Sequence, residues 1–313
     1  MDKERKRKIL RQNLGWAFAR TFAFLNGILS LKLNYALGKF LGSIAYLVVG
    51  RHRKISVDNL AVAFPQKSLR ERKKITRNFL IFMAQGSFEL LHILKNPSKL
   101  ENVRIQGKDN LDKALENKKG VIILTAHMGN FPLMSLKLAK LGYIVHFVTR
   151  PMRDKKISEY TYNLRTRAGV RTIFSYPRQE CVNGIIQALG NNESVIMQMD
   201  QNFGTGGVWV KFFGKLAATP VGPIVLALRT KASIVPAFIY REKNNKHCIK
   251  ILPEEKLIQT PDKSETVLLN AIKFTRIIEG WIKDYACQWG WIHRRWKSRP
   301  SPTVERMKFK IER

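Results

Sequence analysis

Residues 120–142 read GVIILTAHMGNFPLMSLKLAKLG. The stretch opens on a short run of apolar and β-branched residues bounded by a glycine, the signature of a buried strand. It closes on FPLMSLKLAKLG (131–142), a helical candidate. Between them, His127-Met128-Gly129-Asn130 follows the strand with no linker. A strand running through a polar loop into a helix is the repeating unit of an α/β domain.

The same alternation extends outward on both sides. VRIQG (103–107), YIVHFVT (143–149), RTIFSY (171–176), ESVIMQMD (193–200), SIVPAFIYR (233–241) and HCIKILP (247–253) read as strands. NLDKALENK (110–118), KISEYTYNLRTRAG (156–169), QECVNGIIQALGN (179–191) and VGPIVLALRTK (221–231) read as helices. The pattern predicts an α/β fold: a central mixed, partly parallel sheet flanked by helices, with its site at the strand C-terminal ends. Two polar groups stand there, His127 after GVIILTA and Asp200-Gln201 after ESVIMQM. A His on the lip of a strand can take a proton from a hydroxyl, and backbone N–H groups at the following helix start can stabilise negative charge. Gly129 would let a ligand approach the backbone. A lone His after a strand is by itself weak evidence for catalysis.

Upstream, a basic start, MDKERKRKILRQ, leads into the largely apolar residues 14–49. Arg20, Lys32 and Lys39 interrupt them, so no uncharged run reaches the roughly 18–20 residues of a clear spanning helix. Two helices, about 14–31 and 34–50, fit an N-terminal helical membrane-associating extension that lies in the interface or dips into one leaflet; a single tilted span by the first helix and two core helices are the alternatives. Residues 51–100 read as a further helical section, one helix ended by Pro65 and another restarting at Ser68. Ser68 and Glu71 have capping-box spacing, and positions 75, 79, 80, 82, 83 and 90 supply a buried face. The whole divides into 1–50, the basic N-terminus and membrane helices; 51–100; an α/β domain over 101–290; and a basic tail over 291–313.

Lys and Arg number 56 against 23 Asp and Glu, a formal net charge of +33. Such an excess implies a polyanionic partner: nucleic acid, an anionic membrane, or an acidic protein. No zinc-finger spacing, RNP signature or helix-turn-helix pattern supports nucleic acid, which also leaves the apolar N-terminus unexplained. There is no GxxxxGK[ST], no GxGxxG after a strand and no HExxH, which disfavours nucleotide-binding and zinc-hydrolase readings. Cys181, Cys248 and Cys287 form no CxxC pair or disulfide framework.

TAHMGN (125–130) resembles the start of the His-spacer-acid motif of glycerolipid and lipid A acyltransferases. RKISVDNLAVAFPQKSLRER (53–72), VTRPMRDKKIS (148–158), residues 199–238 from MDQNFGTGG onward, and WGWIHRRWKSRP (289–300) are similar to the lipid A lauroyl/myristoyl acyltransferase family. Similar text occurs in phosphatidylinositol mannoside acyltransferases. The resemblance implies an enzyme of the bacterial inner membrane, on its cytoplasmic face. It implies transfer of an acyl chain from acyl carrier protein, or acyl-coenzyme A, to a hydroxyl of an anionic membrane lipid, with no metal, no cofactor and no nucleic acid. His127 would be the general base. The acid expected five positions after it falls on Pro132, which can neither orient nor stabilise an imidazole. Three readings stay open: another carboxylate, Asp200 first, orients His127; His127 works alone; or the chain binds lipid without chemistry. Glu89 is a weaker substitute, since its helix need not approach the site.

Arg150, just after a strand, suits a phosphate or a developing oxyanion. Gly129, Asn130, Gln201 and Arg229 are further candidates for the substrate-binding surface, and Arg229 and Arg241 for phosphate. Phe212 and Phe213 face acyl chains or the core. Trp289, Trp291 and Trp296, interleaved with His293, Arg294, Arg295 and Lys297, suit a membrane interface.

Overall fold

The computed structural model describes residues 16, 20, 21, 23–152, 154–204 and 206–300. The basic start 1–12, much of the first half of the helix expected over 14–31, and tail residues 301–313 therefore lie outside the described residues. A helical stretch over 23–28 breaks at Ser30, whose hydroxyl accepts from the Leu33 amide and caps α1 (Leu31–Val48). The break falls a few residues earlier than the sequence predicts. α2 (Gly50–Ala63) stops before Pro65 as expected. α3 (Leu69–Lys95) starts on the predicted capping box, with Ser68 and Glu71 bonded reciprocally. Phe79, Leu80 and Phe82 are buried, whereas Met83, expected on the same face, is exposed. α1 packs against α3 through Gly38 and Gly42: a Cβ on either would come within 2.7 or 2.5 Å of the Gln85 or Ile81 Cα.

The rest is α/β. β1 (Arg104–Gln106), α4 (Lys108–Glu116), β2 (Val121–Thr125), α5 (Phe131–Lys140), β3 (Val145–Thr149), α6 (Lys155–Arg167), β4 (Val170–Phe174), α7 (Arg178–Gly190) and β5 (Ser194–Gln198) alternate along the chain. β6 (Val208–Phe212) and β7 (Lys215–Thr219) follow, then α8 (Gly222–Thr230), β8 (Ser233–Arg241), β9 (His247–Ile251) and α9 (Lys263–Asp284). Seven strands form one sheet in the order β1-β9-β8-β2-β5-β3-β4. Only the β8–β9 pairing is antiparallel, so the sheet is mixed and mostly parallel.

β2 is central and fully buried, which explains its unbroken apolar run. Ile122 and Leu124 face a core built with α7, α8 and α9; Val121 and Ile123 face the opposite core, with Leu111 of α4 and Leu133 and Met134 of α5. β6 and β7 form a separate antiparallel hairpin through Phe213 and Gly214, both at positive φ. Neither the hairpin nor α9 is among the elements the sequence predicts. No single described helix is long and apolar enough to cross a membrane; α1 and α2 pass that test only as a pair, bent by 89°.

Candidate active site

Parallel pairing of β2 with β5 puts Thr125 opposite Gln198. Two residues beyond each strand end stand His127 and Asp200, so the register alone brings them level at the C-terminal edge. His127 Nδ1 lies 2.8 Å from Asp200 Oδ1, and the His127 amide donates to Oδ2 at 2.9 Å. The indole N–H of Trp289 donates to the same Oδ2 at 2.7 Å. Asp200's side chain is wholly buried, while that of His127 is 30% exposed. The ring therefore has one nitrogen tied to a buried carboxylate and Nε2 left for a proton acceptor's work.

Burial pushes the Asp200 carboxyl up, but His127 and the two N–H donors outweigh it and hold its pKa below the usual range. For His127, burial pulls down and the Asp200 carboxylate more than compensates, so its pKa is raised. Phe131 meets the imidazole edge-on at 5.3 Å between centroids and stacks in turn on Phe147 of β3. These contacts restrict the ring's rotation.

The loop carrying His127 is braced on every side. Met128 forms an antiparallel bridge with Trp289, the Gly129 amide donates to Gln288 O at 2.9 Å, and the Gly290 amide donates to His127 O at 3.0 Å. Gly129 sits at φ +58°, and a Cβ there would lie 1.8 Å from the Ile239 carbonyl oxygen. Its missing side chain thus admits β8, rather than a ligand, to the loop. The amides of His127, Met128 and Gly129 all bond within the protein, to Asp200, Ala126 O and Gln288 O. These three amides are not free to receive a developing oxyanion; the expectation concerned the amides of the following helix start, at Asn130 and Phe131. Pro132 occupies the first turn of α5, where a missing N–H costs nothing. The position at which the resemblance leads one to expect an acid is here a helix start.

Asn130 is buried and donates to Gly86 O at 3.1 Å and Glu89 Oε2 at 2.9 Å, so its amide braces the loop against α3. Glu89 does approach the site after all, through Asn130. Its oxygens also lie 2.8 and 2.9 Å from His247 Nε2, 3.2 Å from Arg241 Nη2 and against the Tyr35 hydroxyl. Those partners overcome its burial and depress its pKa to about 2. Arg241 is consequently a buried structural cation, not a phosphate ligand.

Arg150 is exposed just past β3, on the same edge of the sheet as His127 and Asp200. Gln201 is half-buried directly after Asp200. Arg229 belongs elsewhere: it lies in the last turn of α8, before β8 starts level with Val121. That is the opposite end of the sheet from His127, because α8 runs back across the layer. Trp289 and Trp291 are fully buried and meet edge-on at 4.6 Å, so they are core residues rather than membrane-interface anchors. Arg295 is equally buried, bonded to Ala218 O and Thr219 Oγ1. Phe212 packs on Trp289 and Trp296, which settles it as core. Sequence reasoning missed Trp289 as the donor to Asp200 and His293, whose Nε2 accepts from the Asn202 amide at 3.0 Å. Both lie some 90 residues from their partners, and no local spacing signals them.

The family profile described as bacterial lipid A biosynthesis acyltransferase matches residues 1–298. The lipid A biosynthesis palmitoleoyltransferase of Escherichia coli (strain K12) is 28% identical over 275 residues, 84% of this chain and 85% of that one. The lauroyltransferase of the same organism is 26% identical over 283 residues, 87% and 88% of the two chains. A phosphatidylinositol mannoside acyltransferase of Mycobacterium tuberculosis (strain CDC 1551 / Oshkosh) is 26% identical over 139 residues, 44% of each.

Proposed function

Since this chain belongs to the bacterial lipid A biosynthesis acyltransferase family, and is thus an acyltransferase, we propose that it acylates a hydroxyl of an anionic glycolipid such as a lipid A precursor. The donor is a fatty acyl thioester, on acyl carrier protein in preference to coenzyme A, and His127 is the general base. The observation that carries this reading is the His127–Asp200 pair, 2.8 Å apart at the C-terminal edge of the sheet. Asp200 fixes the proton on Nδ1 and leaves Nε2 basic. Nε2 takes the acceptor hydroxyl's proton as the oxygen attacks the thioester carbonyl. Collapse of the tetrahedral intermediate breaks the C–S bond, and the imidazolium returns the proton to the thiolate. Asp200, through its charge, stabilises the imidazolium in between. Arg150, an exposed cation on the same edge, is the candidate for the oxyanion.

The setting is the cytoplasmic face of the bacterial inner membrane. α1 turns its glycines to α3 and leaves Phe40, Leu41, Ile44, Leu47 and Val48 exposed. An apolar face of that extent is at home in a bilayer interface, not in water. The +33 charge favours an anionic leaflet and an acidic carrier protein as donor. The test is a mass-spectrometric assay of purified protein in detergent, offering acyl carrier protein and coenzyme A thioesters against a panel of lipids. Acylated anionic glycolipid supports the reading; acylation confined to an uncharged acceptor overturns the choice of acceptor.

A further inference from the structure

The start of α2 and the segment 290–299 face each other across a cleft of about 560 Å³ lined by Arg51, Lys54, Lys215, Arg294, Lys297 and Arg299. A second lobe of about 490 Å³ shares Arg51, Arg294 and Lys297, and adds His52, Asn202 and His293. Asn202 is two residues from Asp200 and its amide donates to His293 Nε2 at 3.0 Å, so this second lobe adjoins the loop that follows the catalytic carboxylate. One carboxylate lines it, Asp58, which is already paired with Lys54 at 2.8 Å. The other five cations have no acidic partner among the described residues.

The helix that forms one wall sharpens the point. α2 opens Gly50-Arg51-His52-Arg53-Lys54, with no capping side chain and no acid in its first turn. Cationic side chains at a helix N-terminus oppose its dipole. An anion seated there would relieve both the dipole and the unpaired guanidinium and ammonium groups.

What kind of anion follows from the neighbouring surface. α1 ends on Leu47 and Val48, 69% and 72% exposed, immediately before Val49 and the first turn of α2. With that apolar face in a bilayer, Arg51 and Lys54 stand at headgroup depth, where basic side chains meet lipid phosphates. A water-soluble donor has no need of this adjacency. We propose that the cleft binds a headgroup phosphate of the lipid acceptor and thereby holds its hydroxyl toward His127. The proposal rests on the acyl-transfer reading for the acceptor's identity, but not for the anion site itself.

The test uses the full-length protein and the variant Arg51→Ala/Arg294→Ala/Lys297→Ala, checked for an unchanged unfolding temperature. In the first arm, acyl transfer is measured with a phosphorylated lipid acceptor and with the same lipid after phosphatase treatment. The expected result is a rise in acceptor KM of about tenfold to a hundredfold, the equivalent of one charge-assisted hydrogen bond, with kcat and donor KM little changed. The gap closes on the dephosphorylated lipid. A rise in donor KM instead assigns the cleft to the donor and overturns the proposal, as does an unchanged acceptor KM. The second arm needs no turnover: dihexanoylphosphatidic acid, dihexanoylphosphatidylcholine and inorganic phosphate are titrated calorimetrically. Phosphatidic acid binding tighter than either control, and lost in the variant, upholds the cleft even where no acyl transfer is found. Equal affinity of wild type and variant for phosphatidic acid overturns it while leaving the acyltransferase reading intact. Binding of inorganic phosphate as tight as that of phosphatidic acid makes it a free-anion site and overturns the lipid assignment.

Discussion

Asp200 is wholly buried, with His127 and Trp289 as its hydrogen-bond partners, and the carboxylate stays charged because those partners together outweigh burial. Glu89 solves the same problem with Arg241, His247, Asn130 and Tyr35. Replacing one partner of a buried charge cluster leaves the others unpaired, which costs about 3–5 kcal/mol. Glu89→Gln is therefore expected to lower the unfolding temperature by on the order of 10 °C near pH 7. The sign of its pH dependence follows from a depressed pKa. The Glu89 contribution is fully present above its ordinary value of 4.5 and is lost as pH falls toward the folded value of about 2. The gap between wild type and Glu89→Gln, measured by thermal melts, should narrow below about pH 4.5. A gap constant from pH 7 to pH 3 would contradict that account.

Elements are held to each other by backbone contact as much as by side chains. α1 lies on α3 at Gly38 and Gly42, so Gly42→Leu forces a side chain into the Ile81 backbone. Detachment of α1 is the expected result, read as faster amide exchange across 31–48 with the α/β sheet still protected. Unchanged exchange would mean the contact is not limiting. The sheet's parallel core was legible because β2 and β5 carry near-continuous apolar runs ending in polar residues, so His127 and Asp200 both stood out. That they are neighbours was only a choice among carboxylates, since strand order is not written in either run. The β6–β7 hairpin escaped notice because KLAAT does not alternate cleanly and Phe213-Gly214 is an unusual two-residue turn. The Trp- and Arg-rich segment 289–296 has the same composition whether it faces a membrane or the core. Only long-range partners such as Ala218 O for Arg295 decide that, and these are invisible in local spacing.

At the scale of the molecule, the proposed membrane setting has a +33 charge and the exposed face of α1 acting together. In that proposal, charge would attract the protein to an anionic surface over about 10 Å at 0.1 M salt and about 3 Å at 1 M. Apolar burial of α1 is indifferent to that screening. Vesicles of anionic lipid should therefore bind the protein at low salt and retain a residual fraction at 1 M. Leu47→Glu/Val48→Glu should remove the residual fraction, since each buried apolar side chain contributes about 1.5–3 kcal/mol. Sedimentation with vesicles checks this; equal high-salt binding by the variant would exclude α1 as the membrane contact.

We propose His127, held by Asp200, as the base in acyl transfer. The most direct measurement is the pH dependence of kcat for wild type, His127→Ala and Asp200→Asn with one active thioester and lipid pair. Wild type should gain rate through a limb lying above the ordinary histidine value of 6.5, because the Asp200 carboxylate raises the imidazole pKa and only the neutral ring accepts a proton. Asp200→Asn should move that limb to lower pH and reduce the rate, and His127→Ala should abolish the limb and lower the rate roughly 10²–10⁴-fold. A His127→Ala protein that keeps the wild-type rate and limb would contradict the account.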